Sequence, residues 1–278
     1  MMDDQILRQL QLTMLNTLKV FDAFCRKHSI RYSLYAGSLL GAVRHRGFIP
    51  WDDDLDICML RRDYDRFIDL WQKSPPAGYL LQNKENAPNF GQSFTKIRKD
   101  HTTFLQAEKD IGKFHNGIFV DIFPMDRLPR GRMARKFFFA DCIFYLLYTR
   151  GYVPPRGNPL IKAVSHILLR CTPSALVPGL RRALLQRITR FADDHTLELV
   201  TTETIGALGT HYPATLPDEW TRLPFEGRTF QCFARWDESL RLKFGDYMQL
   251  PPEAERVWKH HPIVIDFEHN LEELERFK

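Results

Sequence analysis

The stretch YSLYAGSLLGAVRHRGFIPWDDDLDI, residues 32–57, decides how the chain is read. It opens on Tyr32-Ser33-Leu34-Tyr35, a short apolar run of β-favouring residues that predicts a strand. Gly37 and Ser38 come next, and residues 39–45 predict one or two helical turns. A helix that opens on Gly-Ser at a strand end offers backbone N–H groups and the positive end of its dipole, a seat for phosphate. Alone, Gly-Ser in that position is an ordinary turn; the acidic run beyond it changes the reading. Pro50 marks a break, after which Asp52, Asp54 and Asp56 alternate with Asp53, Leu55 and Ile57. In a strand, the period of two sets the three carboxylates on one face and turns Leu55 and Ile57 toward a core. Carboxylates this crowded repel, and ionising them is costly unless a cation neutralises the cluster. Hard oxygen ligands suit Mg²⁺ or Mn²⁺. A solvated acidic turn is the alternative for three acids by themselves. A calcium-binding EF-hand loop is excluded, because its sixth position needs Gly and here holds Ile57.

Outward from this stretch, Leu7, Leu10, Met14, Leu18, Phe21 and Cys25 recur at spacings of three and four. They predict an amphipathic helix over residues 4–27 that packs on the protein's own sheet. A second helix is expected over residues 61–73, stopped by Ser74-Pro75-Pro76, with Tyr64, Phe67, Ile68 and Trp71 on one face. Strands are expected at residues 79–82 and 94–98. In the latter, Lys96 and Arg98 share a face, either exposed or positioned to hold the charge of a diphosphate. In HNGIFVDIFPMD, residues 115–126, Asp121 sits in an apolar alternation where an unpartnered carboxylate should not be buried. Asp126 is a second candidate, but Pro124 separates it from the expected strand, so Asp121 is preferred.

The 278 residues suffice for one large domain, or a catalytic core with a helical addition, and 44% hydrophobic with 26% charged residues is ordinary for a folded chain. The net charge of +5 is unevenly spread. Residues 130–190 hold twelve Lys or Arg against one acid, Asp141, among apolar runs at residues 137–139 and 143–148. Helices are expected there and over residues 159–171 and 179–195, with chain breaks at Pro154-Pro155 and Gly157. This basic segment is either a solvated helical face or a surface for anionic lipid, with Arg181, Arg182, Arg187 and Arg190 toward the bilayer. Its leucines and aromatics argue against nucleic acid. Five scattered cysteines without a C-x-x-C pair predict free thiols rather than a disulfide framework or a zinc site. With no secretory signal and no apolar segment of spanning length, the expected location is cytoplasmic, with peripheral contact on the cytosolic membrane face.

A Gly-Ser turn with Asp-Leu-Asp-Ile some fifteen residues after it resembles the nucleotidyltransferase superfamily. The fuller string GSLLGAVRHRGFIPWDDDLDI is similar to the LicD family, with the eukaryotic fukutin-related ribitol-phosphate transferases as distant relatives. FTKIRKDHTTF, NGIFVDIFPMD, the PFEG at residues 224–227, LRLKFGDY and the LPP at residues 250–252 carry the resemblance on, while residues 130–200 do not. The resemblance implies an α/β (α+β) fold: a nucleotidyltransferase-type mixed sheet flanked by helices. Residues 1–129 would form the catalytic core, residues 130–200 a basic helical insertion, and residues 201–278 a segment completing the core. It implies a phosphotransferase moving phosphocholine or a related group from a CDP-linked donor to a carbohydrate hydroxyl, and releasing CMP. The acceptor would be a cell-surface glycan such as lipopolysaccharide or teichoic acid, or its lipid-linked precursor. Asp52, Asp54, Asp56 and Asp121 would hold the metal, with Asp54, Asp56 and Asp121 catalytic. Gly37, Ser38, Lys96 and Arg98 would bind donor, and Glu226, His260 and His261 could line the acceptor side. Two rivals stay open. One is a D-x-D glycosyltransferase, which would not need the Gly-Ser turn; the other is a non-catalytic basic protein that binds membrane or RNA, for which the acidic triplet would be a liability.

Overall fold

A computed structural model describes residues 4–153 and 159–276. The expected breaks at Pro154-Pro155 and Gly157 lie outside the described residues. The first half of the chain runs Asp4–Lys27 (α1), Ser33–Leu34 (β1), Ala36–His45 (α2), Asp56–Leu60 (β2), Arg61–Lys73 (α3), Tyr79–Gln82 (β3), Thr95–Lys99 (β4), Thr103–Leu105 (β5) and Phe119–Arg127 (β6). After it come Arg132–Arg150 (α4), Pro159–Cys171 (α5), Val177–Thr189 (α6), Leu199–Thr201 (β7), Trp220–Phe225 (β8), Arg228–Phe233 (β9), Trp236–Phe244 (α7), Val264–Asp266 (β10) and Leu271–Arg276 (α8).

The central sheet has the order β1-β2-β6-β4-β3, with β7 also on β6. Only β2 and β6 pair in parallel, and the other ladders are antiparallel. The strand period of two divides this mixed sheet into two faces. Ile57, Met59, Ile97, Val120 and Ile122 face one side, where they form a core with α1 and with Tyr64, Phe67 and Trp71 of α3. All six residues of the predicted α1 stripe are buried there. Phe21, Phe24, Phe67 and Trp71 lock the two helices together through ring contacts at 4.7–5.9 Å. Asp56, Lys96, Arg98 and Asp121 have the opposite parity, so they share the other face.

Several expectations need correcting. Helix α2 starts at Ala36, whose φ of 46° turns the chain out of extended Tyr35, so Gly37 and Ser38 lie inside its first turn rather than ahead of it. The acidic stretch is not a continuous strand, since β2 begins only at Asp56. Pro124 does not interrupt β6. It falls between Ile122, the last residue of β6 paired with β4, and Met125, the first paired with β7, where a missing N–H breaks no ladder on that edge. Residues 137–148 form part of one 19-residue helix, α4. Helix α6 stops at Thr189 rather than near residue 195. Both α4 and α6 pack through Phe138, Cys142, Tyr145, Leu184 and Ile188 against Leu128 and Val200, which tie this helical part to the sheet. All five cysteines are free thiols.

Candidate active site

The Gly-Ser turn and the acids are latched together by the backbone. Ser38 Oγ accepts the Asp56 N–H at 2.8 Å, and Tyr35 N–H donates to the Asp56 carbonyl at 3.0 Å. The intervening loop must fold back over α2 to make this possible. A Cβ at Gly41 would stand 2.4 Å from the Gly47 carbonyl, so a side chain there would push the loop away. A Cβ at Gly37 would come within 2.8 Å of Asp52 Oδ2, which puts the Asp52 carboxylate against the first turn of α2. Gln11 of α1 holds the loop from behind, donating to the Asp52 carbonyl at 3.0 Å.

Asp121 enters from β6, in register with Asp56 on the parallel neighbour β2. On its other side it faces Lys96, whose ammonium lies 2.5 and 2.8 Å from the two carboxylate oxygens. Both are buried, and the ammonium also sits 3.3 Å from the centre of the Phe119 ring. Arg98 is buried as well; it donates to Gln82 Oε1 and the Gly117 carbonyl, so its charge is not cancelled by either partner. Burial, partly opposed by Asp121, lowers Lys96 to about 8 and Arg98 to about 10. Neither residue forms the exposed strand face that was one reading of the pair.

Two cavities flank the acids. One of about 690 Å³ is lined by Tyr35, Gly37, Asp52, Asp54, Asp56 and Lys243, among others. The second, about 590 Å³, takes in Phe94, Lys96, Arg98, Asp121, Arg150 and His260. Asp52, Asp54 and Asp56 thus reach one cavity wall although only Asp56 is in a strand. Burial first, then mutual repulsion, raises Asp52 to about 8 and pushes Asp56 well above the usual carboxylate range. Asp54 is raised too, by burial and the nearby acids against the pull of His260 and Lys259.

Asp53 points elsewhere. It accepts the backbone N–H of Lys259 and His260, and His260 Nδ1 lies 3.1 Å from its carboxylate. Burial works to raise Asp53, but these contacts hold it below the ordinary value. Burial likewise works to lower His260, and Asp53 and Asp54 overcome it to raise the imidazole. Of the other polar residues singled out in the sequence, Asp126 is a structural acid. By parity it lies on the opposite face from Asp121, where Arg61 clamps it at 2.7 and 2.8 Å and Thr202 adds a third bond. Glu226 is not at the acids. It caps the β8–β9 hairpin and holds Arg8 and the Phe48 N–H, steadying the loop that leads to them. His261 is exposed, with a φ of 40°.

Sequence reasoning missed Glu203, Lys243 and Lys259 in the first cavity, and Lys109, Lys113 and Arg150 in the second. Lys243 donates to Tyr35 Oη at 2.9 Å; its one signal was its place inside LRLKFGDY. Glu203 lies just past β7 and is buried, with Oε2 lacking a hydrogen-bond partner among the described residues. Burial raises its carboxyl.

The chemistry of these donors fits a hard divalent cation. Asp52, Asp54, Asp56 and Asp121 offer carboxylate oxygens; burial and mutual repulsion disfavour the ionised form of the first three, so a cation would relieve the repulsion. Asp53, Asp54 and His260 also bring ligand atoms within 4.8 Å of one another, but Asp53 is already committed to three donors around His260.

Residues 29–145 match the family described as LicD/FKTN/FKRP, nucleotidyltransferase domain. Over 265 residues, 91% of this chain and 96% of the relative, the sequence is 30% identical to the lipopolysaccharide cholinephosphotransferase LicD of Haemophilus influenzae. Shorter matches are to uncharacterised proteins of Rickettsia typhi, 41% over 59 residues (21% of this chain, 19% of the relative), and Rickettsia prowazekii, 30% over 103 residues (37% and 35%).

Proposed function

The chain belongs to the LicD family, and from that premise we propose that it moves phosphocholine from CDP-choline to a hydroxyl of a cell-surface glycan or its lipid-linked precursor, releasing CMP. The observation that carries this reading is the charge division of the cleft. On one side of the acids Lys96, Arg98, Lys109, Lys113 and Arg150 gather with Phe90, Phe94 and Phe114, a setting suited to a diphosphate and a pyrimidine. On the other side, beyond the aspartates assigned to the cation, Glu203, Asp246 and Glu255 share the cavity with Tyr35, Trp51 and Phe123, and with Lys243 and Lys259, a mix of acids and aromatic faces suited to a quaternary ammonium.

In this reading Lys96 and Arg98 hold the donor diphosphate, and the first turn of α2 at Gly37 and Ser38 cradles its choline-bearing phosphate. Asp52, Asp54, Asp56 and Asp121 would hold Mg²⁺ or Mn²⁺, which would neutralise the charge that develops on the donor oxygens. The acceptor hydroxyl oxygen bonds to the choline-bearing phosphorus, and the bond from that phosphorus to the bridging oxygen of CMP breaks. Asp121, fixed by Lys96, orients the acceptor. His260, its Nδ1 side held by Asp53, takes the hydroxyl proton. A lipid-linked acceptor would place this work at the cytosolic membrane face.

The test is a donor panel with Mg²⁺: CDP-choline, CDP-ribitol, CDP-glycerol, CDP-ethanolamine and UDP-sugars, each with a truncated lipopolysaccharide. CMP release matched by a phosphocholine mass gain on the glycan is expected. Release of a nucleoside diphosphate from a UDP-sugar instead would replace the reading with glycosyl transfer.

A further inference from the structure

Helix α5 is set apart from the rest of the molecule by its exposure. Of its 13 residues only Ser165 is buried. Leu160 is 71% exposed, Val164 47% and Ile167 58%; Leu176, just beyond the helix, is 62% exposed. At 100° per residue, positions 160, 164, 167 and 171 fall within one narrow arc. Leu169 lies on the other side and leans on the cluster built by α4 and α6. The aliphatic arc therefore faces away from the protein, and a contiguous apolar surface of this kind calls for a cover.

The charge around it points to the cover. Residues 142–192 contain eight Lys or Arg and no Asp or Glu. Arg181, expected at a membrane, is instead buried against Glu85 and Thr149, while Arg187 stays exposed and pairs with Asp141. Arg170, Arg182 and Arg190 are exposed. Among the described residues no single helix is long and apolar enough to cross a membrane, and α5 with the segment Ser174–Thr189 passes that test only as a pair bent by 94°. A bend so sharp, with Leu184 and Ile188 of α6 buried in the protein, suits a helix lying in the interface rather than one crossing it.

We infer that α5 is an interfacial helix whose Leu160, Val164 and Ile167 insert among the headgroups of an anionic bilayer, with the surrounding Arg residues on its phosphates. Thr172, at the end of α5, bonds Tyr148 of α4 at 3.0 Å, and Arg150, two residues on, lines the basic cavity. The helix thus holds the cleft beside the membrane, where a lipid-linked acceptor would be presented. The inference rests on the proposed function for that acceptor, but its test reads vesicle binding and needs no turnover.

The experiment is cosedimentation of the full chain with phosphatidylcholine vesicles, with and without phosphatidylglycerol. Salt-sensitive binding to the anionic vesicles alone is expected, weakened at least about tenfold in Leu160→Glu/Val164→Glu/Ile167→Glu. That variant should melt, and bind CDP-choline, as the wild type does. Arg170→Glu/Arg182→Glu, which leaves the apolar arc intact, should also weaken binding and serves if the first variant fails to fold. Binding to neither vesicle, equal binding to both, or undiminished binding by the variants overturns the inference. So does a wild-type dimer that the triple substitution splits, which would assign the arc to a second copy of the chain.

Discussion

Replacing Asp52 by Asn should stabilise the metal-free protein, by an amount that grows with pH. Asp52 is almost fully buried, and burial together with Asp54 raises its carboxyl from 3.8 to about 8. Below about pH 4 the group is protonated in both the folded and the unfolded chain, and it contributes nothing. As pH rises from there toward 8, the unfolded chain ionises while folded Asp52 keeps its proton, so wild-type stability falls. At pH 7 roughly three pH units separate the solution from the unfolded value, worth about 4 kcal/mol at 1.36 kcal/mol each. Asparagine avoids this loss, and its amide can donate to Asp54 as protonated Asp52 does. For a chain of this size, the gain corresponds to a melting temperature higher by roughly 10 °C. The assay is a melting series of both proteins from pH 4 to 8 in chelator, repeated with Mg²⁺. The curves should diverge as pH rises, and Mg²⁺ should raise the wild type more than the variant. Parallel curves, or a variant that melts lower at pH 7, would refute the argument that the acids are crowded and uncompensated.

Asp54→Asn and Asp56→Asn should keep the fold and lose turnover, and chelation of the wild type should do the same; full turnover in chelator would end the metal proposal. Arg61→Ala should cost about 3–5 kcal/mol in denaturant unfolding, because it strands buried Asp126, with no specific effect on donor affinity. Arg98→Ala should weaken CDP-choline binding by about 1.5–3 kcal/mol, roughly ten- to hundredfold by calorimetry on the folded fraction. Ser38→Ala leaves the Asp56 N–H without its acceptor, so about 1–3 kcal/mol of stability should go, with turnover falling more than donor affinity. Lost donor affinity at unchanged stability would instead make the hydroxyl a phosphate ligand.

What could be read in the sequence was local. The Gly-Ser turn and the acids lie within one 26-residue stretch whose parts bond directly to each other, so their pattern survives without tertiary information. Asp121 was legible because an acid flanked by apolar residues, Val120-Asp121-Ile122, needs a partner when buried and resembles the third acid of the nucleotidyltransferase superfamily. Asp126 was set aside for the wrong reason. The cost of Pro124 depends on which neighbouring strand would have received its N–H, and only the handover from β4 to β7 reveals that none does. The α2 start was misjudged because Ala36 turns the chain at a positive φ, which no propensity for Ala signals. Glu203, Lys243 and the His260–Asp53 pair were out of reach. Each joins the acids from far along the chain, and a lone Glu, Lys or His in a polar stretch carries no period to betray its partner.

That distance has a consequence for how the site comes into being. Asp53 is buried on the strength of contacts with Lys259 and His260, 206 and 207 residues further along the chain. During synthesis the sheet and its acidic loop are complete long before those partners emerge. Until they arrive, Asp53 has no other means of satisfying its charge than water, and the loop carrying Asp52 and Asp54 lacks its outer wall. The closing of so long a loop comes late and at an entropic cost, so assembly of the proposed cation site is a final step rather than a nucleus of folding. On the metal proposal, a nascent chain would therefore remain unable to hold the cation, however well formed its sheet, until its C-terminal segment docks.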